Sequence, residues 1–319
     1  MLSRVADSLY WMSRYVERAE HTARLIDVNL VLMLDQSPEF ALQRWERLTD
    51  SLLLEPPEAD HDITQFAHQL TFDRDHHGSI MACLTGARDN ARQVREQLSS
   101  ELWEQVNRMY LAITHARSQQ LWQQESHALL RQVIDGLHLF HGIAESTMSQ
   151  GEGWQWLQLG RFLERTSATC LLLETYFSAY LRSQEQEESV REYLDWVGLL
   201  KSCTAFEAYC QVYTADLQPA RVAEFLLLSA DFPRSVRFSG MAVQRSLQKI
   251  AQSTRVRKNT TVSRLAGRLA TSLDYAAIKE IMAEGMLEYL RDIREQCGHV
   301  HNAIQRTYIA PPLESLLEL

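Results

Sequence analysis

Charged side chains that could do chemistry lie together near the N-terminus of the chain. Arg14, Glu17, Arg18 and His21 fall within one arc of a helical wheel at about 100° per residue. A carboxylate among guanidinium groups can serve as a general base, as an anchor that orients arginines, or as half of a structural ion pair. Further along, the same face becomes apolar at Leu25, so we expect the charged part to point into a packed interface.

A second copy of this pattern follows 147 positions later. Residues 160–172 (GRFLERTSATCLL) resemble residues 13–25 (SRYVERAEHTARL), and they carry Arg161, Glu164 and Arg165 at the equivalent places. This similarity alone is weak support for an internal repeat, because amphipathic helices share much of their periodicity.

Another match lies in the same order along the chain. Residues 87–96 (ARDNARQVRE) resemble residues 229–238 (SADFPRSVRF) at an offset of 142. It pairs two arginines of each half: Arg92 and Arg95 with Arg234 and Arg237. Together the matches predict a tandem duplication, with a first helical repeat at 1–150 and a second at 151–319. We expect the repeats to pack about a pseudo-two-fold axis into one domain.

The repeated positions carry more arginines than glutamates. Eight arginines are candidates for one ligand-binding cleft: Arg14, Arg18, Arg92, Arg95, Arg161, Arg165, Arg234 and Arg237. The repeated carboxylates are Glu17 and Glu164, so the surplus of positive charge predicts a site for phosphate or carboxylate groups. Two other interpretations stay open. The glutamates could be buried acceptors that hold neighbouring helices together, or either could act as a general base with His21 assisting.

The sequence does not predict a metal or nucleotide site. A di-iron helical bundle needs two Glu-x-x-His motifs, and the chain has one, Glu58–His61, in a proline-rich stretch. His138 and His141 share a helical arc with Glu145 but lack that spacing. Walker A, dinucleotide-binding and nucleophile-elbow motifs are missing from the sequence. We therefore expect no metal and no cofactor.

The composition predicts the elements that position these residues. The 319 residues include only 12 Gly and 7 Pro, so tight turns are few, and apolar residues recur at steps of three and four. No segment alternates with the period of a β-strand. The fold class is therefore all-α, a bundle of long helices.

Charge and cysteine content exclude several classes of protein. The formal net charge is −9, which disfavours a nucleic-acid-binding surface. The five Cys form no C-x-x-C pair and are typical of reduced thiols in the cytoplasm. The N-terminus has no apolar signal core, and no apolar stretch reaches the length of a spanning helix. We expect a cytoplasmic protein that binds neither nucleic acid nor membrane.

Four segments together carry a family resemblance. They are MLSRVADSLYWMSRYVERAEHTARLIDVN at the N-terminus, then ARDNARQVREQLSSELWEQVN, GWQWLQLGRFLERT and FLLLSADFPRSVRF. They look like the bacterial alpha-E domain family, which is named for an all-helical domain with a recurring Glu-Arg motif. Here that motif is Glu17-Arg18 and Glu164-Arg165, and the resemblance runs over nearly the whole chain.

The resemblance implies a role beside a ligase. Alpha-E proteins are typically encoded beside, or fused to, circularly permuted ATP-grasp proteins, and often transglutaminase-like peptidases. ATP-grasp enzymes activate carboxylates as acyl phosphates and form amide bonds. We therefore expect a non-catalytic helical partner of an ATP-grasp amide or peptide ligase. It would bind the ligase, or its peptide or acyl-phosphate substrate, through the arginine-rich cleft.

Other roles remain compatible with the same residues. As the helical domain alone, the chain would meet an ATP-grasp protein, and a transglutaminase-like protein, as separate polypeptides. The first alternative is an enzyme in its own right that completes a ligation or transfer step, with Glu17 or Glu164 as general base. The second alternative is a purely structural helical scaffold.

Overall fold

The computed structural model describes residues 1–33, 38–54, 63–183, 189–254 and 261–310. Every regular element within these ranges is helical, so the all-α class is confirmed. The Glu58–His61 motif lies outside the described residues.

Fourteen α-helices occupy the described ranges, and three of them exceed 30 residues. They are α1 (Ser3–Met33), α2 (Pro38–Leu52), α3 (Ile63–Phe72), α4 (Ile80–Gln93), α5 (Ser100–Thr114), α6 (Ala116–Thr147), α7 (Glu152–Ser183), α8 (Ser189–Ser202), α9 (Phe206–Tyr213), α10 (Pro219–Leu228), α11 (Val236–Thr254), α12 (Thr261–Asp274), α13 (Ile278–Glu284) and α14 (Met286–Ile304). A short 3-10 helix at Arg95–Gln97 and a π-helical turn at Gln305–Ile309 complete the elements.

Two long helices, α1 and α7, form the centre of the fold and pack against each other. Buried residues lie on most sides of both helices, as expected for helices that are surrounded by others. Their close approach depends on Gly160, because a Cβ at this position would lie 2.3 Å from the backbone oxygen of Tyr10. Ser13 adds a hydrogen bond of 2.6 Å from its hydroxyl to the carbonyl oxygen of Leu157.

Two groups of helices flank this central pair. α4 and α6 pack on α1, and α5 contacts both of them, whereas α11 and α14 pack on α7, and α12 contacts both of those. α2, which follows α1 in the chain, also contacts α7. In the same way α8, which follows α7, also contacts α1. One apolar core results, with Trp45, Trp156 and Trp196 among its most buried side chains.

All five cysteines are free, and four of them are buried. Within the described residues, no helix combines the length and the apolarity that crossing a lipid bilayer requires.

The second sequence match does not pair structurally equivalent positions. Arg92 lies in the last turn of α4, and Arg95 begins the 3-10 helix that follows. Arg234, in contrast, precedes the first residue of α11. The residues that share a role are Ser79 and Ser235, whose hydroxyl oxygens accept backbone N–H groups at the starts of α4 and α11. The offset of 142 therefore aligns the end of α4 with the start of α11.

We expect Gly160→Ala to destabilise the protein, because the added methyl group would force α1 and α7 apart. Overpacking of this kind costs about 1–3 kcal/mol. Gly142→Ala on α6 is the matched control, since no described atom other than those of its chain neighbours and its own helix backbone lies within 4 Å of an added Cβ. It should be neutral, or stabilising by about 0.5–1 kcal/mol. Urea denaturation followed by circular dichroism measures both free energies of unfolding, and equal effects would contradict the close crossing.

Candidate functional site

Glu17, on α1, is a buried carboxylate at the crossing with α7. Arg165 of α7 donates to it through two nitrogens, from Nε to Oε1 at 2.6 Å and from Nη2 to Oε2 at 2.7 Å. The two side chains are 1% and 3% exposed. Arg234, from the segment before α11, lies 3.5 Å from Glu17 Oε1. The planar fork of an arginine makes this two-point contact, which a lysine cannot make.

Glu164, on α7, has the reverse arrangement, because its partners come from α1. Arg14 donates from Nε to Oε2 at 2.6 Å, and Arg18 donates from Nε to Oε1 at 2.7 Å. Arg14 also donates to the hydroxyl of Tyr10 at 3.2 Å and lies 3.1 Å from Nδ1 of His301. Each of the two central helices therefore supplies a carboxylate to arginines of the other.

A third carboxylate, Glu20, extends the charged group on one side. Arg234 and Arg24 both donate to its Oε1, Arg24 from Nε at 3.1 Å. Nε2 of His138, on α6, lies 3.2 Å from the same oxygen. The other oxygen, Oε2, is buried and has no hydrogen-bond partner among the described residues.

We call these side chains the ionic cluster. Its members are Arg14, Glu17, Arg18, Glu20, Arg24, Arg161, Glu164, Arg165 and Arg234. Six guanidinium groups therefore face three carboxylates. A surplus of three positive charges in a largely buried region is unfavourable by itself, because little water is present to solvate it. The cluster is electrostatically suited to an additional anion.

The arginines keep the carboxylates of the cluster ionised. Burial opposes ionisation of Glu17, but the charges of Arg165 and Arg234 outweigh it and lower the pKa of the carboxyl group. Burial likewise opposes ionisation of Glu164, and its two arginine partners from α1 lower its pKa. A carboxylate with a lowered pKa is a weak base at neutral pH.

Two largely buried histidines border the cluster and are neutral at pH 7. Burial, reinforced by the charge of Arg234, lowers the pKa of His21 to about 4. Burial, reinforced by the charge of Arg161, lowers the pKa of His141 to about 3. His141 Nε2 lies 3.8 Å from two carboxylate oxygens of α1. Nε2 of each histidine has no hydrogen-bond partner among the described residues.

Arg161 contacts the cluster only loosely. Its Nε lies 3.7 Å from Glu17 Oε2, beyond hydrogen-bond distance, and is buried without a hydrogen-bond partner among the described residues. The side chain is 24% exposed. Burial, together with the charge of Arg165, lowers its pKa to about 10, which still leaves it protonated at pH 7. Arg161 is therefore a cation able to donate to a further acceptor.

The structure brings together some of the residues that the sequence singled out. The cluster contains five of the eight candidate arginines, both candidate glutamates and, at its border, His21. Arg92 and Arg95 lie on the surface instead, and Arg92 is 68% exposed beside Asp89. Arg237 pairs with Asp274 at 2.6 Å. These three arginines do not join the cluster, so the structure does not show one cleft of eight arginines.

Sequence reasoning missed Glu20, Arg24 and the position of His141. Glu20 and Arg24 continue the helical face of Glu17 at the next steps of three and four, which is a usable signal. They have no counterparts in the second half, so a search for repeated residues passed over them. His141 approaches the cluster through packing of α6 on α1, which periodicity alone does not reveal.

Glu17, Glu20 and His141 also bring three potential metal-ligand atoms within 4.8 Å of one another. Their surroundings do not suit a cation, because Arg165 and Arg234 already pair with the two carboxylates. Each guanidinium at about 4 Å repels a unit positive charge by roughly 4 kcal/mol at an effective dielectric constant of about 20. The ion pairs with arginine therefore account for these two carboxylates better than a bound metal ion does.

The fold and the cluster define an all-helical protein with a buried, arginine-rich ionic centre. Residues 1–309 match the model of the Alpha-E family, which is described as a predicted alpha-helical domain with a conserved ER motif. The chain belongs to this family, as the resemblance of its segments indicated.

Proteins similar to this chain occur in mycobacteria. Uncharacterized proteins from Mycobacterium bovis (strain ATCC BAA-935 / AF2122/97) and from Mycobacterium tuberculosis strains CDC 1551 / Oshkosh and ATCC 25618 / H37Rv are each 25% identical over 342 positions. The similarity covers 97% of this chain and 37% of each relative, so the chain spans little more than a third of their length. No solved structure matches the chain.

We expect the free energy of unfolding to fall as the pH drops below about 4.5. Because the folded-state pKa of Glu17 is lowered from 4.5, the unfolded chain binds this proton more tightly, and its stabilisation is lost in acid. Glu17→Gln should cost roughly 3–5 kcal/mol at pH 7 and flatten this profile. Asp89→Asn, in a half-exposed pair, is the control and should change stability by less than about 1 kcal/mol. An unchanged acid profile in Glu17→Gln would contradict the assignment.

Arg165→Gln and Arg161→Gln should differ in stability. Arg165→Gln removes the two-point partner of a buried carboxylate and should cost roughly 3–5 kcal/mol. Arg161→Gln breaks no hydrogen bond to a described residue and relieves repulsion from Arg165, so stability should stay within about 1 kcal/mol or rise. Thermal denaturation at pH 7 compares the two variants. Equal losses would show that Arg161 is a structural partner after all.

Proposed function

We propose that the protein is a non-catalytic helical component that binds an acidic group of a peptide or acyl-phosphate substrate for a partner ATP-grasp amide ligase. The observation that carries the proposal is the surplus of six guanidinium groups over three carboxylates in the ionic cluster. A bound anion neutralises such a surplus, and arginine binds phosphate and carboxylate groups strongly.

The cluster contains both fixed and accessible arginines, which supports a binding role. Arg165 is buried and pairs with Glu17, so it fixes the geometry of the cluster but is not accessible to an incoming ligand. Arg18 and Arg161 are 28% and 24% exposed, so an incoming acidic group can approach them from solvent. Preorganised charges bind an anion with little loss of side-chain entropy.

The ligase partnership rests on the resemblance to alpha-E proteins that are encoded beside, or fused to, ATP-grasp proteins. The greater length of the mycobacterial relatives supports a domain that works with others, because the matched region is 37% of each of them. A transglutaminase-like protein is a second partner on the same grounds. We place the protein in the cytoplasm, where ATP is available to a ligase.

Several observations weigh against catalysis by Glu17 or Glu164. A general base works best with a pKa near the pH of the reaction, whereas arginine partners lower the pKa of both carboxylates. Both oxygens of each glutamate also accept hydrogen bonds from arginine. A purely structural scaffold, in turn, gives no reason for Arg161, which donates no hydrogen bond to a described residue.

We also propose that the fold is a tandem duplication with repeats 1–150 and 151–319. The two halves have the same pattern of helix contacts. It is unchanged when α1 is exchanged with α7, α4 with α11, α5 with α12 and α6 with α14. The Arg165–Glu17 and Arg18–Glu164 pairs are related by the same exchange. The proposed boundary falls between the end of α6 and the start of α7.

Co-purification with the ATP-grasp protein encoded beside this chain tests the proposed function. We expect a stable complex, and faster amide formation by the ligase when this protein is present. Arg161→Gln should weaken that stimulation without loss of folding, whereas Arg268→Gln, an exposed arginine of α12, should not. Absence of a complex together with an unchanged ligase rate would contradict the proposal. Turnover by the isolated protein that Glu17→Gln abolishes would also contradict it, in favour of an enzyme.

A further inference from the structure

A surface pocket lies between α1, α4, α5 and the segment that joins α3 to α4. Its volume is about 190 Å³. Pockets for drug-sized ligands measure roughly 300–1,000 Å³, so this one has room for a single small group, such as one residue of a peptide. None of the described side chains that line it is acidic. The proposed function does not yet assign a ligand to this pocket.

Two tyrosine rings form walls of the pocket, Tyr15 from α1 and Tyr110 from α5. Tyr15 lies close against α4, where a Cβ at Gly86 would be 3.0–3.2 Å from three of its ring carbons. Gly86 therefore leaves the space that this ring occupies. The guanidinium carbon of Arg88 lies 4.5 Å from the ring centroid of Tyr110, a cation–π contact that stabilises the second wall. Aromatic walls of this kind cover the apolar part of a ligand.

Arg74, in the segment before α4, brings a permanent positive charge to the pocket. Its Nε donates to Sδ of Met81 at 3.4 Å, and its two terminal nitrogens donate to no described residue. The neighbouring Asp73 is engaged in its own loop, where its Oδ1 accepts the backbone N–H of Asp75 at 2.9 Å. The planar fork of an arginine matches a carboxylate. A phosphate monoester carries about two negative charges at pH 7, so a single arginine suits a carboxylate better.

The pocket also offers hydrogen-bond acceptors beside this cation. The hydroxyl of Thr85 donates to the carbonyl oxygen of Met81 at 2.7 Å, so its own oxygen can still accept. The imidazole of His77 can donate or accept. These groups suit a ligand that carries a carboxylate, an apolar body and an N–H group close together. The C-terminal residue of a peptide combines these three features.

Tyr15 connects the pocket to the ionic cluster. It lines the pocket, and the guanidinium carbon of Arg18 lies 5.8 Å from the centroid of its ring. Arg18 is one of the two partly exposed arginines of the cluster. The pocket and the accessible edge of the cluster are therefore neighbours, and one peptide can occupy both.

We propose that the pocket between Tyr15 and Tyr110 binds the C-terminal residue of a peptide. Arg74 pairs with the terminal carboxylate, the two rings cover the apolar side chain, and Thr85 accepts the amide N–H of the same residue. This inference rests on the proposed binding of a peptide substrate and names the end of the peptide that is bound. The ionic cluster then binds another acidic group of the same peptide.

An NMR titration of the full chain, labelled at its tyrosine rings, with N-acetyl-leucine tests this inference. The ring signal of Tyr110, assigned with Tyr110→Phe, reports on the pocket, because α5 packs on α4 and α6 and not at the crossing of α1 with α7. We expect N-acetyl-leucine to bind at least tenfold more tightly than N-acetyl-leucinamide, which lacks the charge. It should also bind at least tenfold more tightly than acetate, which lacks the apolar body.

Arg74→Gln should weaken the binding of N-acetyl-leucine at least tenfold, because it removes the charge that pairs with the carboxylate. Arg268→Gln, which removes an exposed arginine of α12, is the control and should leave binding unchanged. Circular dichroism checks that both variants keep their helices. If Arg74→Gln does not fold, the comparison of the acid with its amide in the unaltered protein decides the question.

Three results would overturn the inference: equal affinities for N-acetyl-leucine and its amide, an equal response of the Tyr110 signal to inorganic phosphate, or no shift of that signal with any probe. In each case, a ligase complex whose rate depends on Arg161 would leave the proposed function standing. Binding of N-acetyl-leucine that depends on Arg74, without any ligase complex, would support the pocket and reject the ligase partnership.

Discussion

The burial of carboxylates where two long helices cross is the constraint on which the rest of the structure depends. A buried carboxylate is tolerated only with charged hydrogen-bond partners. Glu17 and Glu164 obtain their partners from the opposite helix, so α1 and α7 satisfy both carboxylates in one register of packing. Gly160 allows the backbones to come close enough for this exchange. The flanking helices α4, α6, α11 and α14 then pack on the outer faces of this pair.

The two sides of the crossing differ in a way that separates stability from binding. On one side, Glu164 accepts from two arginines and both of its oxygens are satisfied. On the other side, Glu20 and Arg234 add charges that have no equivalents there, and polar atoms of Glu20, His141 and Arg161 have no hydrogen-bond partner within the described part of the chain. An arrangement built only for stability would satisfy these atoms. Such local costs are typical of sites where a protein gives up stability for function.

The all-α class and much of the centre could be predicted from the sequence, because Arg-x-x-Glu-Arg recurs at helical spacing within long apolar-rich segments. Periodicity shows which residues share a helical face, but not which neighbouring helix that face contacts. The exchange of ion-pair partners between α1 and α7 could therefore not be predicted. Residues 87–98 contain no Gly or Pro, so the sequence gives no sign that α4 ends at Gln93 and that Ser99 caps the next helix. Glu20 was missed because it is not repeated.

The central claim is that the buried surplus of positive charge holds an anion. A crystal structure determined from the protein in phosphate buffer tests this claim most directly. We predict tetrahedral density within hydrogen-bond distance of Arg18 or Arg161, the two partly exposed arginines of the ionic cluster, with the packing of α1 against α7 preserved. A metal ion coordinated by Glu17, Glu20 and His141 in the same place, with no anion bound to the arginines, would contradict the claim.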